Sequence, residues 1–150
     1  MSTFNPITFL ANVKRIFSAA TGLTGIATWS YPTLQTSEVK YPAVFIEIIG
    51  GETGWYSTSD PNSLHHFYVR FVVFEDQTTS SSSLGSYFSS IIDAVVANPD
   101  LKDSDGKSTC EYFGAYEGRS IGFDVASTEI SGQLSKNAIR IDVPCKVRDT

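Results

Sequence analysis

Four stretches of the chain carry a hydrophobic period strong enough to name an element. Between Pro6 and Thr21, Ile7, Leu10, Val13 and Phe17 recur at helical spacing; Asn5 is placed to cap the free amides, Pro6 suits the first turn, and Gly22 offers a left-handed stop. Leu84 to Ala97 repeats the pattern, with Leu84, Phe88, Ile91, Ile92 and Val95 as the stripe, Ser83 as the cap and Asn98-Pro99 as the terminator. The other two stretches alternate with a period of two. In Leu64 to Glu75, Phe67, Val69, Phe71 and Val73 oppose His66, Tyr68, Arg70 and Val72. In Asn137 to Arg148, Ile139, Ile141, Val143, Cys145 and Val147 oppose Arg140, Asp142, Lys146 and Arg148. Each is a strand with one dry and one wet face. Pro144 stands on the wet side, where its missing N–H predicts an edge or a bulge.

Weaker signals fill the gaps. Ala43 to Ile49 reads as a third strand, with Val44, Ile46 and Ile48 on one face and Phe45, Glu47 and Ile49 on the other. Ala27 to Tyr31 is a short strand inside a long connection, and Thr109 to Tyr116 and Ser120 to Ala126 are two shorter strands broken by Gly114 and Gly118. Gly50 to Ser63 holds three glycines, Pro61, Trp55 and Tyr56. It is either a loop or the outward continuation of its flanking strands as a hairpin arm with the aromatics near the tip. The expected fold over residues 1–150 is a single α+β domain: one mixed or antiparallel sheet of four to five strands, two helices packed on one face, and a long hairpin arm.

Charge narrows the function classes. Only 18% of residues are charged, against about a quarter in typical domains, and serine and threonine supply 34 of 150 positions. The net charge of −5 argues against a phosphate-binding surface. The segment from Asp93 to Glu129 carries that whole net charge, with eight acids against Lys102, Lys107 and Arg119. Such a window is either a solvated side or the lining of a passage that must not hold nucleic acid, in which case Glu111 and Glu117, read as strand residues, and Asp103 and Asp105, read as turn residues, face that passage.

Motifs for chemistry are absent. Cys110 and Cys145 stand 35 residues apart without C-x-x-C spacing, the pattern of buried free thiols. His65 and His66 point to opposite faces of a strand and cannot chelate one ion. Asp103-Ser104-Asp105-Gly106 lacks the later ligands of a calcium loop, no G-x-S-x-G elbow occurs, and Gly50-Gly51-Glu52-Thr53-Gly54 is not followed by the Lys-Ser/Thr of a phosphate loop. No metal, cofactor or nucleotide is expected. The first apolar stretch carries Lys14 and Arg15 in its middle, unlike a signal peptide or a span, so a cytoplasmic site of synthesis is expected. Trp55 and Tyr56, set among small polar residues, either contact another chain or fold back onto their own sheet.

The layout as a whole, from the helix Pro6 to Thr21 through Tyr41-Pro42-Ala43-Val44-Phe45-Ile46-Glu47-Ile48, the long hairpin to Leu64-His65-His66-Phe67-Tyr68-Val69-Arg70-Phe71, the helix Leu84 to Ala97 and the closing strand Ala138 to Val147, resembles the tail terminator (tail completion) proteins of long-tailed bacteriophages. More loosely, it is similar to other head-to-tail joining proteins. The resemblance implies a non-enzymatic virion protein, assembled in the host cytoplasm, that forms a hexameric ring at the head-proximal end of the tail tube. Its partners are then further copies of itself, the tube protein and a neck or head-completion protein, with genomic DNA passing through unbound and no membrane involved. In such a ring Trp55 and Tyr56 belong to the subunit interface. Two other readings stay open: a different neck component such as a head-closure protein, and a small α+β enzyme or ligand-binding domain with an unrecognised pocket.

Overall fold

The structure, a computed structural model, describes residues 4–32, 34, 38–55, 63–76, 83–130 and 133–149. Helix α1 (Pro6–Ser18) begins as its sequence dictates, with Asn5 Oδ1 accepting from the N–H groups of Ile7 and Thr8 at 3.0 and 3.1 Å. It stops three residues short of Thr21. From Ala20 the amides turn back in short turns, to Phe17 O and then onward to Ile26, and Gly22 takes a φ of +84°. The chain then forms β1 (Thr28–Ser30), β2 (Ala43–Trp55), β3 (Ser63–Asp76), α2 (Leu84–Ala97), β4 (Tyr112–Phe113), β5 (Gly122–Ile130) and β6 (Gln133–Arg148).

These six strands make one sheet, one more than the alternation pattern suggested, in the order β1-β2-β3-β6 with β5 and β4 sharing the far side of β6. β1 lies parallel to β2 and every other pairing is antiparallel, so the sheet is mixed. Both helices pack on one face, burying Phe9, Leu10, Val13 and Phe17 of α1 and Leu84, Ile91, Ala94 and Val95 of α2. The sheet answers with Val44, Ile46, Phe67, Val69, Phe71, Val73, Ile139, Ile141, Val143, Cys145 and Val147, the residues whose alternation named the strands. Phe17 is the hub, 4.7 Å from Phe71 and 6.0 Å from Phe113 between ring centroids. Among the described residues no helix or strand covers the opposite face, the open face of the sheet. No helix among the described residues is long and apolar enough to cross a membrane.

Three expectations need correction. Thr109 to Tyr116 is not a strand beyond Tyr112 and Phe113, because Gly114 takes a φ of +132° and residues 116–119 form a tight turn with Glu117 and Gly118 at φ +47° and +77°. Pro144 lies on an interior strand, neither at an edge nor at a bulge. Its carbonyl accepts from Gly114 N–H at 2.9 Å, and a strand residue's nitrogen and carbonyl point to the same side. The missing donor therefore falls in the gap where β5 has ended at Gly122 opposite Asp142 and β4 begins at Phe113 opposite Cys145. Ser83 occupies the N-cap of α2 but its side chain makes no capping bond; the buried Glu75 carboxylate instead accepts from Ser83 N–H at 2.8 Å, setting a negative charge at the helix N-terminus.

Candidate functional site

Of the two readings of Gly50 to Ser63, the ladder follows the arm. β2 and β3 stay paired from Ala43 opposite Phe74 out to Trp55 opposite Ser63, with one irregularity at Gly50-Gly51, where Gly50 sits at φ +61°. The backbone of Trp55 ends β2; its side chain, and the whole of Tyr56, lie outside the described residues. At the root of the arm His65 bridges three segments, its Nδ1 2.9 Å from Thr53 Oγ1 and its Nε2 3.0 Å from Asp149 Oδ1. Asp149 Oδ1 also accepts from Phe4 N–H at 2.7 Å, and the Phe4 ring stacks on Phe67 at 5.3 Å. Burial pushes the Asp149 carboxyl upward, but the donors from Phe4 and His65 outweigh it and hold the group below its ordinary range.

The open face is laced with charge. A ladder crosses four strands, from Glu47 on β2 to Arg70 on β3 (3.6 Å), to Asp142 on β6 (2.9 Å), to Arg140 beside it (3.9 Å), and on to Asp124 on β5. Asp142 takes the Arg70 guanidinium in a fork, with a second bond at 3.3 Å, and this bond above all raises the arginine's pKa. Further along the same face, Lys146 Nζ lies 3.0 Å from Glu117 and 3.6 Å from Glu111, and these carboxylates, Glu117 first, hold its ammonium above the usual range. Tyr116 O–H donates to Cys145 O at 3.1 Å and lies 2.8 Å from His66 Nδ1. Burial pushes the phenol up to about 12 and, with the nearby Arg119 and Lys146, depresses His66.

The sequence candidates are thus divided. Glu111 and Glu117 share the open face through Lys146, although neither is a strand residue: Glu111 precedes β4 and Glu117 sits in the turn after it. Asp103 and Asp105 belong elsewhere, in a turn tied to α1 by Asn12 and Arg15, which donate to the carbonyls of Leu101 and Lys102. Asp103 Oδ1 is occupied by the N–H groups of Asp105 and Lys107, both at 2.9 Å. His65 and His66 do point to opposite faces. Cys110 and Cys145 are both buried and free, with burial driving the Cys145 thiol well above its ordinary value. Among the described residues no three His, Cys, Asp or Glu side chains converge on a point where a metal ion would sit.

What the alternation pattern concealed is the state of the sheet's edges. Among the described residues β5 pairs only with β6, and its Phe123 and Val125 are 60% and 69% exposed on the helix-bearing side. On the other border β1 covers only Ala43 to Phe45, so β2 from Ile46 outward has no partner on that side among the described residues. Two open hollows flank this border: one of about 430 Å³ beside Trp29, Leu34, Lys14 and Lys40, and one of about 270 Å³ between Tyr31, Pro32, Phe45 and Glu47. Compared with models of known families and with curated protein sequences, the chain gives no match.

Proposed function

We propose that this chain is a non-enzymatic structural protein of a bacteriophage virion, a tail terminator whose copies join head to tail into a closed ring, hexameric by the resemblance, at the head-proximal end of the tail tube. One observation carries the reading: among the described residues a single sheet ends in two different borders, β2, beyond its short pairing with β1, and β5, that run in opposite directions. An isologous dimer matches a border with itself, whereas two different borders favour heterologous contacts, which close into a ring when the rotation from copy to copy is a whole fraction of a turn. Antiparallel joining is also the stronger ladder. The β2-β3 hairpin, paired within the sheet as far as Gly54 and Leu64 and continuing in sequence through Trp55 and Tyr56, is the element that lies on the neighbouring subunit in this reading. One face of the ring then matches the tube's end and the other meets the neck, so growth stops.

The choice of a terminator over another neck component rests on the resemblance of the layout to tail terminator proteins. The test is the mass of the purified chain in solution, with negative-stain images. Rings whose mass is six times that of the 16.4 kDa chain are expected, together with arrest of tube growth when rings are added to polymerising tube protein. A monomer at high concentration, or open filaments, would sink the reading.

A further inference from the structure

The borders of the sheet are not merely free; they are level, and the pairings say which residues meet. Val125 pairs with Ile139, Ile139 with Val73, Val73 with Val44, and Val44 with Trp29. Phe123 stands two residues along on the rung of Ile141, Phe71 and Ile46, next to Tyr31. We infer that Phe123 and Val125 on β5 of one copy seat against Trp29 and Tyr31 at the β1-β2 border of the next; this assignment rests on the ring reading above.

Direction, face and polarity agree on that occupant. β5 runs antiparallel to β1 and β2, and rotation about an axis along the strands preserves strand direction and face, so the meeting borders form an antiparallel pair with the helix-bearing sides aligned. Phe123, Val125 and Trp29 all stand on that side, since each shares a rung with a buried core residue. Within its own chain Phe123 packs against Phe88, at 5.0 Å between centroids, and more than half of it faces water. Exposed apolar side chains on a long edge strand expose a protein to indiscriminate pairing unless a partner covers them. The lining of the two hollows is balanced in charge, Lys14 and Lys40 against Glu38 and Glu47, and Asp124 is the charged side chain between Gly122 and Val125. The like charges that approach at the junction, Glu47 and Asp124, are each already held by an arginine of their own chain.

The join is tested on the full-length chain by two measurements. Phe123→Asp with Val125→Asp is expected to weaken self-association about thirtyfold or more, as loss of central apolar anchors does, with an unchanged far-ultraviolet circular dichroism spectrum and melting temperature. Separately, mixing a Val125→Cys chain with a Trp29→Cys chain under mild oxidation should give cross-linked dimers that neither single variant nor the parent forms. If the parent assembles but the double Asp variant assembles equally well and no cross-link forms, the join is wrong and the ring reading stands. A parent chain that stays monomeric at high concentration overturns both. Should the Asp variant lose its fold, presence or absence of the cross-link decides alone.

Discussion

The Asp149 carboxylate ties two segments together, the backbone at Phe4 and the arm root through His65, while its backbone N–H donates to Ser63 O at 2.9 Å. Replacing it by Ala strands the Phe4 and His65 donors in a mostly buried place, which costs about 2–3 kcal/mol. Replacing it by Asn keeps an acceptor and removes only the charge, so the loss is smaller, about 1 kcal/mol. Because the folded carboxyl titrates below its unfolded value, the stability it adds is present above the ordinary carboxylate range and is lost as pH falls through the folded value. Urea midpoints measured from neutral pH down to about pH 2.5 should therefore fall less steeply at the acid end for Asp149→Asn than for the parent. Equal slopes would mean that the carboxylate's charge is not what Phe4 and His65 recognise.

Between elements, the tightest approach is that of the turn after α1 to α2. A Cβ built on Gly22 would lie 2.2 Å from Ser90 Oγ, and the φ of +84° is itself unfavourable for any side chain. Gly22→Ala should cost about 1–3 kcal/mol, and the cost should shrink in a Ser90→Ala background, where the φ penalty and the 3.0 Å approach of the Ser90 Cβ remain but the hydroxyl clash is gone. Thermal melts of the four combinations measure this; identical costs in both backgrounds would show that Ser90 is not the obstacle. Where a full hydrophobic period runs through an element, the sequence reading was accurate: α2 begins and ends at the expected residues, and β3 and β6 contain their expected cores within slightly longer strands. It failed between residues 109 and 116, because the strand there depends on a distant gap beside Pro144 and on the positive φ angles of Gly114 and Glu117, none of which leaves a period. Alternation reveals which face of a strand is dry but not what lies beside it. Reading Ser120 to Ala126 as a strand therefore did not reveal that Phe123 and Val125 are exposed on a border. Likewise, nothing local to Glu117 announces Lys146, which comes from 29 residues away.

For the whole molecule, the proposed ring raises the question of which face turns inward. The helix layer is bulky and the inner circumference of a ring is the shorter, so the helices belong outside and the open face lines the lumen. That orientation keeps Glu111 and Glu117 as channel residues and removes Asp103 and Asp105, whose turn is fixed to α1. It also changes what the wall is. Its paired groups, Glu47, Asp124, Asp142, Glu111 and Glu117 with Arg70, Arg140 and Lys146, form a nearly balanced lattice with an excess of two acids per copy. A moving polyanion then meets cations already occupied by carboxylates, and no phosphate contact releases enough counterions to hold it. Glu111→Lys with Glu117→Lys strips Lys146 of both partners and turns the excess of two acids into an excess of two cations at every copy. Rings of this variant should retain double-stranded DNA at about 50 mM salt and release it by about 200 mM, because each phosphate neutralised steepens the salt dependence, while parent rings retain none at either concentration. An Asp103→Lys, Asp105→Lys ring, carrying the same charge change on the turn beside α1, should behave like the parent. If it binds DNA and the Glu111, Glu117 variant does not, the open face points outward and the acidic turn, not the sheet, lines the passage.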